Sequence, residues 1–268
     1  MELEKKVLYL GDDDATRAAA YLCGVMTRYG IDFERVDGGT SPAPDFQSRA
    51  YSLYVLSDYA VSGFKPGDME RIVSSVKENG SGLLMLGGWE SYYGRLGEYQ
   101  NTPIAEILPV AMKDSDDREN YSSPVLLRPT TLDHPITAGL PWETAPGVGG
   151  FNRFEAKSDA QVLLEGYRTK TTWRSALDDP SAPIDQSDVQ IELLEKFPFL
   201  VVGNAGKGRV AAFASDVAPH WIGGMVDWGT PRLFQELPER LGKDLFVEVG
   251  SDYAKFFAQL VRWTGDLS

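Results

Sequence analysis

The chain contains few of the side chains that most often act as nucleophiles or bind transition metals. Among its 268 residues there are one cysteine and two histidines. Because Cys23 cannot form a disulfide within the chain, we expect a protein of a reducing compartment, the cytoplasm. The opening residues lack the apolar region and cleavage site of a secretory signal. No apolar run reaches the roughly 18 residues of a membrane-spanning helix, so we expect no membrane association.

Positive charge is also scarce. The 26 basic side chains are outnumbered by 39 acidic ones, and the net charge of −13 argues against a nucleic-acid partner. Apolar residues make up 43% of the chain and aromatic residues 11%, which is enough for a large core and excludes disorder as the main state. At this length we expect a single domain over residues 1–268.

Four short, largely apolar segments in the first third of the chain predict buried strands. They cover Val7–Leu10, Asp32–Val36, Leu53–Leu56 and Leu83–Leu86. Helices are predicted at about Ala15–Tyr29, capped by Asp14, and at about Pro66–Glu78. Continuous apolar runs without alternation are typical of strands covered on both faces. We therefore predict an α/β protein with a mostly parallel sheet flanked by helices.

The ends of these strands carry conspicuous polar and small residues. They are Asp12, Asp13, Ser57, Asp58, Gly87, Gly88, Trp89, Glu90 and Ser91. In an open parallel sheet the ligand crevice lies at the carboxyl ends of the strands. We therefore expect the functional site at this edge.

The middle of the chain is less regular, and we predict β-rich insertions at about residues 110–195. The polar stretch Pro109–Val125 is predicted to be a loop, and residues 178–188 a flexible loop. Short strands are predicted at residues 126–128, 151–155 and 162–165.

The last third predicts two clear elements. Apolar segments at residues 199–202 and 210–214 flank a Gly-rich turn, which predicts a hairpin. Apolar residues at helical spacing predict an amphipathic helix over Ser251–Thr264.

Several motifs spread along most of the chain resemble the family called putative glutamine amidotransferases. They are Leu83–Tyr92, Thr102–Ile104, Ile107–Val110, Asp133–Ile136, Gly206–Val210, Ser215-Asp216 and Ala218–Trp221. The His-Pro-Ile and Gly-Lys-Gly-Arg-Val segments are also similar to trehalose-utilisation proteins of the same superfamily. The resemblance implies a class I glutamine amidotransferase-like domain with a flavodoxin-like parallel sheet.

A class I amidotransferase needs a cysteine on the tight turn after a central strand, activated by a histidine that a carboxylate orients. The matching turn, Gly87-Gly88-Trp89, has no thiol. Cys23 falls inside the first predicted helix, where a small buried apolar role is the simpler interpretation. The resemblance thus implies a histidine and acid near Asp216 and His220 without the nucleophile, and we expect no glutaminase activity.

The remaining candidates for catalysis are His220, Asp216, Glu90 and Ser91. His220 could act as a general base that Asp216 or Glu90 orients, with Ser91 as the nucleophile. The alternatives are a histidine that fixes a Pro-containing turn, an exposed glutamate and a turn serine, since Gly-x-Ser-x-Gly is absent.

The candidates for ligand binding flank the expected crevice. They are Asp12, Gly87, Gly88, Trp89, His134 and Trp221. Tryptophans in a cleft can stack on a sugar or another flat ligand, but they can equally close the cleft by packing on each other. For His134, fixing the turn before Pro135 is the simpler interpretation.

No cofactor or metal is expected. The adjacent Asp12, Asp13 and Asp14 could hold a hard cation, but their charge at a helix N-terminus explains them without one. The segment Gly203–Gly208 lacks the order of a phosphate-binding loop, and a strand follows it where that loop needs a helix.

Three functions therefore stay open. The first is a non-glutaminase protein that binds a small-molecule ligand at the strand ends. The second is a hydrolase that uses His220 and Asp216 with Ser91 or Glu90. The third is a non-enzymatic assembly protein, in which surface aromatic residues and acidic charge serve a partner or form a homo-oligomer.

Overall fold

A computed structural model describes residues 3–12, 14, 16–144, 146–173, 181 and 189–268. The α-helices within these residues are α1 (Ala18–Arg28), α2 (Asp68–Ser74), α3 (Pro103–Ile107), α4 (Pro219–Ile222) and α5 (Ser251–Thr264). The strands are β1 (Glu4–Gly11), β2 (Phe33–Val36), β3 (Tyr51–Ser57), β4 (Gly82–Leu86), β5 (Val110–Met112), β6 (Arg118–Pro129), β7 (Gly147–Asn152), β8 (Phe154–Ala156), β9 (Gln161–Trp173), β10 (Val189–Ala205), β11 (Gly208–Phe213), β12 (Arg232–Glu236) and β13 (Phe246–Gly250).

One half of the main sheet is parallel and buried. Its strands follow the order β2-β1-β3-β4-β11, and each neighbouring pair is parallel. Every residue of β3 and β4 is buried. This explains their continuous apolar sequence, because helices and loops cover both faces of such strands. The four strands predicted in the first third of the chain are confirmed as β1 to β4.

The other half of the sheet is antiparallel. From β11 the order continues β10-β9-β6-β7, so the described strands form a mixed nine-stranded sheet. The α/β class is confirmed, but the sheet is not mostly parallel. The reason is that β10 pairs antiparallel with β11, and the inserted strands β9, β6 and β7 continue the sheet from β10 in antiparallel pairs.

Pro109–Val125 is the clearest error of the sequence prediction. It contains β5 and most of β6, where we expected a loop. Exposed and half-buried residues alternate along β6, because one face of this antiparallel strand meets solvent. The polar composition of this segment therefore did not indicate that it forms a strand. The loop predicted at residues 178–188 lies outside the described residues, apart from Ser181.

The helices are predicted with differing accuracy. α5 has the predicted bounds, and its apolar side is buried. α1 begins at Ala18, after Arg17, and Asp14 accepts a hydrogen bond from the backbone N–H of Thr16 before the helix starts. α2 ends at Ser74 and continues as a wider π-helical turn to Asn79. In the part of the chain that the structure describes, no helix is long and apolar enough to cross a membrane.

Candidate functional site

A cavity of about 750 Å³ opens at the carboxyl ends of the parallel strands. It is lined by Asp12, Asp14, Arg17, Ala18, Asp58, Trp89, Glu90, Asn120, His220 and Trp221. These residues come from the segments that follow β1, β3, β4 and β11, together with one residue of β6. The site therefore lies at the edge where the sequence placed it.

Three aspartates meet beside this crevice, and two of them, Asp12 and Asp58, line it. Asp12 follows β1, Asp58 follows β3 and Asp216 follows β11, and one carboxylate oxygen from each lies within 4.8 Å of the other two. Asp12 and Asp216 are only 2% and 1% exposed, whereas Asp58 is half-buried. We call these three residues the aspartate cluster.

The backbone brings the ends of β1 and β3 unusually close. Asp12 donates its backbone N–H to the carbonyl of Ser57 at 2.9 Å. A Cβ at Gly11 would lie 1.6 Å from that carbonyl oxygen, so only glycine fits there. Asp12 and Asp58 themselves adopt positive φ values of 50° and 42°, which aspartate tolerates better than most residues. This turn geometry directs both carboxylates to the same point.

Burial and mutual repulsion weaken the acidity of the aspartate cluster. Burial, followed by the nearby charge of Asp216, raises the pKa of Asp12 to about 8, against a smaller lowering by the Tyr9 hydroxyl that donates to it. Burial and the charge of Asp58 raise the pKa of Asp216 to about 8, although the backbone N–H groups of Val217 and Ala218 donate to it. Without a cation, these two carboxyl groups retain protons near neutral pH.

Hydrogen bonding leaves part of the aspartate cluster unsatisfied. Among the described residues, neither Asp12 Oδ1 nor Asp216 Oδ2 has a hydrogen-bond partner, and the buried Ser57 hydroxyl also has none. The Ser57 side chain lowers the pKa of Asp12 to a smaller extent than burial raises it. Buried oxygen atoms without partners are costly and uncommon in folded proteins.

His220 stands at the mouth of the crevice beside Asp216. Its Nε2 atom lies 3.3 Å from Asp216 Oδ2, but the geometry is poor for a hydrogen bond and 62% of the His220 side chain is exposed. Partial burial lowers the pKa of His220 below its ordinary value. The structure therefore brings the predicted histidine and acid together, with a largely neutral imidazole near pH 7.

The turn after β4 has no room for a nucleophile at its two glycines. A Cβ at Gly87 would lie 2.1 Å from the carbonyl oxygen of Ala214, and one at Gly88 would lie 1.9 Å from Asp58 Oδ1. Cys23 lies on α1, fully buried, and burial raises its pKa to about 12. A thiol with this pKa is not an active nucleophile at neutral pH.

Asn152 and Asp117 hold this turn, and the sequence analysis missed both. Asn152 accepts a hydrogen bond from the Gly88 N–H at 2.8 Å and donates to the Gly88 carbonyl and to Asp117. Asp117 also accepts from the backbone N–H groups of Tyr93 and Gly94. Both residues belong to the insertions, and no local motif marks them as neighbours of the glycine turn.

Glu90 and Ser91 differ in their access to the crevice. Glu90 lines it and donates its backbone N–H to Asp58 Oδ1 at 2.8 Å. Ser91 is 1% exposed, does not line the cavity, and accepts a hydrogen bond from the backbone N–H of Asp58 at 3.1 Å. In this structure Ser91 fixes the turn of Asp58 and does not face the cavity.

The two tryptophans form walls of the crevice. Trp89 is 49% exposed, and the guanidinium of Arg118 lies 4.3 Å from its ring centroid. Trp221 is 6% exposed and donates its indole N–H to Asn120 Oδ1 at 2.8 Å. Both tryptophans line the cavity. Asn120 and Arg17, which also line the cavity, are additions from the structure.

His134 lies elsewhere. Its ring packs edge-on against Trp263 of α5, with centroids 4.8 Å apart, and its Nδ1 atom accepts a hydrogen bond from the backbone N–H of Ile136. It does not line the crevice. Of the three adjacent acids, Asp12 joins the aspartate cluster, Asp14 lines the cavity, and Asp13 lies outside the described residues.

Comparison with known sequences gives one family. The sequence pattern of the family described as "Putative glutamine amidotransferase" matches residues 50–169 and 169–237. No curated protein matches the chain in sequence.

Three solved structures are similar in fold. Cytoplasmic protein STM3548 from Salmonella typhimurium is 23% identical, with a TM-score of 0.65 over 97% of this chain and 98% of that one. Cytoplasmic protein STM1381 from Salmonella typhimurium LT2 is 24% identical, with a TM-score of 0.65 over 97% and 99%. A thuA-like protein from Parabacteroides merdae ATCC 43184 is 14% identical, with a TM-score of 0.56 over 97% and 89%.

Proposed function

Because the chain belongs to the family of putative glutamine amidotransferases, we propose that it is an amidotransferase-like protein that has lost glutaminase activity and binds a small ligand at the strand ends. The observation that carries the proposal is the crevice itself. A volume of about 750 Å³ is within the range of small-molecule sites.

The absence of glutaminase activity follows from the geometry of the β4 turn. Hydrolysis of glutamine in this superfamily needs a thiolate at the turn, next to the histidine. Gly87 and Gly88 have no space for a side chain there, and Cys23 is buried with a raised pKa. The histidine–acid pair of His220 and Asp216 therefore stands beside a turn without its nucleophile.

The lining of the crevice favours a hydroxyl-rich ligand. Its carboxylates, among them Asp14, Asp58 and Glu90, can accept hydrogen bonds from hydroxyl groups. Trp89 and Trp221 supply flat apolar walls on which a sugar-like ring can stack. An anion would meet more negative than positive charge, since Arg17 is the single basic side chain among the lining residues that the structure describes.

The fold supports the same assignment. The parallel half of the sheet has the strand order 2-1-3-4 followed by β11. A flavodoxin-like arrangement of these strands would favour ligand binding at the β1/β3 switch point. Asp12 and Asp58 stand at that point. The similar Salmonella proteins are named cytoplasmic, in agreement with the location expected for this chain.

Two experiments test the proposal. Purified protein incubated with glutamine should release no ammonia above the rate of a boiled sample, and turnover that a Cys23→Ser variant abolishes would refute our interpretation. A panel of neutral sugars, polyols, amines and sugar acids should contain a compound that raises the melting temperature. Trp89→Ala should remove that shift, whereas Leu132→Ala, which changes an exposed apolar residue outside the crevice, should keep it.

A hydrolase is the second candidate, because His220 lies beside Asp216 and lines the crevice together with Glu90. In that case His220 would activate a water molecule or a substrate hydroxyl, and Asp216 would orient it. A panel of ester and glycoside substrates should then reveal turnover that His220→Gln abolishes. Ser91→Ala should leave such turnover in place, since the buried Ser91 does not line the cavity.

An assembly role is the third candidate. Phe234 and Phe246 are 62% and 61% exposed, and their rings lie 4.7 Å apart on the β12–β13 hairpin. Paired exposed aromatic rings are common in protein contacts. Sedimentation of the protein should distinguish a monomer from a homo-oligomer, and Phe234→Ser should dissociate an oligomer that uses this hairpin.

A further inference from the structure

We propose that the aspartate cluster, Asp12, Asp58 and Asp216, is a binding site for one divalent cation with oxygen ligands, of the Mg²⁺, Mn²⁺ or Ca²⁺ class. The inference adds a resident ion to the crevice of the proposed function and uses the same cavity. It does not require the hydroxyl-rich ligand to be correct.

The spacing of the carboxylates fits a single ion. Their oxygen atoms lie within 4.8 Å of one another. An ion bound at about 2.1 to 2.6 Å places ligands on opposite sides roughly 4.2 to 5.2 Å apart and adjacent ligands closer together. One cation can therefore contact all three oxygen atoms with little movement of the backbone.

Within the described part of the chain, two buried carboxylate oxygen atoms of the aspartate cluster have no hydrogen-bond donor. Asp12 is 2% and Asp216 is 1% exposed, and among the described residues Asp12 Oδ1 and Asp216 Oδ2 have no hydrogen-bond donor. Their second oxygen atoms are satisfied, by Tyr9 for Asp12 and by the backbone of Val217 and Ala218 for Asp216. Each of these two carboxylates is thus fixed through one oxygen atom, which leaves the other available to a cation.

Two arginines whose charge reaches the aspartate cluster make their hydrogen bonds and ion pairs with groups other than its carboxylates. Arg35 donates to the carbonyl oxygens of Gly11 and Asp12 and pairs with the carboxylate of Asp37. Arg118 pairs with Asp116 and lies over the ring of Trp89. Apart from His220 beside Asp216, protons or a cation must balance the negative charge of the aspartate cluster, and a divalent ion supplies two charges at once.

The cavity completes the coordination sphere. Three protein oxygen atoms leave room for water molecules or ligand oxygens on the open side, where Asp58 is half-buried and the crevice begins. Mg²⁺ and Mn²⁺ commonly keep several such positions for water or substrate. An ion here would hold a ligand hydroxyl against the strand ends.

Titration with Mn²⁺ alone, followed by electron paramagnetic resonance of the free ion, tests this site. We expect one Mn²⁺ per chain with a Kd below about 1 mM, and displacement by Mg²⁺ or Ca²⁺. Asp12→Asn and Asp58→Asn should each weaken binding about tenfold or more, because each removes a charged ligand. Asp14→Asn removes a charge from the same cavity outside the aspartate cluster and should leave the Kd within about twofold.

Several results would overturn the cation site. One is the absence of stoichiometric Mn²⁺ binding by the natural chain. Another is an equal loss of Mn²⁺ affinity in Asp14→Asn and Asp58→Asn, which would indicate diffuse attraction by the acidic surface. If Asp12→Asn fails to fold, the half-buried Asp58 and the Asp14 control still decide the question. Ligand shifts in melting temperature measured in EDTA are independent of the ion, so either proposal can fail alone.

Discussion

The buried carboxyl of Asp12 should make the stability of the metal-free protein depend on pH, and Asp12→Asn should remove part of that dependence. The pKa of Asp12 rises from 3.8 to about 8 in the folded chain. Between these values the unfolded chain has lost the proton and the folded chain still holds it. The free energy of unfolding therefore falls as the pH rises from about 4 to about 8, and the stability present at low pH is lost across this window.

The magnitude follows from the groups around Asp12. Each unit of pKa shift corresponds to about 1.4 kcal/mol, so a shift of this size is worth several kcal/mol at most. Asparagine keeps the size of the side chain and can still accept from Tyr9, while its amide can donate to Asp58 or Asp216. We expect Asp12→Asn to be about 2 kcal/mol more stable than the natural chain near pH 8, and nearly equal to it below about pH 5.

Urea denaturation in EDTA, followed by fluorescence across this pH range, measures the effect. The exposed Glu155→Gln removes one negative charge far from the aspartate cluster and serves as the control, with an expected difference within about 0.5 kcal/mol at every pH. A difference between Asp12→Asn and the natural chain that stays constant with pH would refute the raised pKa. A loss of stability that grows toward pH 8 would show that the carboxylate is stabilising, contrary to our reasoning.

Three further predictions concern the turn and the cysteine. Gly88→Ala should destabilise the protein by about 2 kcal/mol or more in chemical denaturation, because its Cβ would lie 1.9 Å from Asp58 Oδ1; an unchanged midpoint would contradict that contact. Asn152→Ala should cost about 2 to 4 kcal/mol, since it leaves Gly88 and the buried Asp117 without a shared partner, and a cost below about 0.5 kcal/mol would mean that the network is unimportant. Cys23 should react with a thiol reagent only after denaturation, because it is buried with a pKa of about 12; rapid labelling of the native chain would place it in an open pocket.

Local sequence was sufficient to predict a helix or strand whose own residues form a recognisable apolar pattern. The apolar runs of β1, β3 and β4 predict buried strands because both faces of each are covered, and the helix at Ser251–Thr264 has an apolar period that matches the helical turn. The missing thiol at Gly87-Gly88 is also readable without a structure. So is the location of the site, because parallel strands end at one edge.

Strands with polar or mixed sequences could not be predicted in the same way. β6 and the paired β12 and β13 carry polar or mixed sequences, and they are strands because partners are available for their backbone groups. Their side chains then reach the site. Asn120 and Asp117 are examples, since one lines the crevice and the other holds the β4 turn.

The sequence by itself determined which residues end the strands, since apolar runs and the acids or glycines that follow them are local features. Only the tertiary structure decided that Asp12, Asp58 and Asp216 converge, that Ser91 turns inward and that His134 lies on α5. The physical reason is that side-chain convergence depends on strand order, register and turn geometry. These arise from contacts between segments distant in the chain, and the periodicity of apolar residues within one segment does not indicate them.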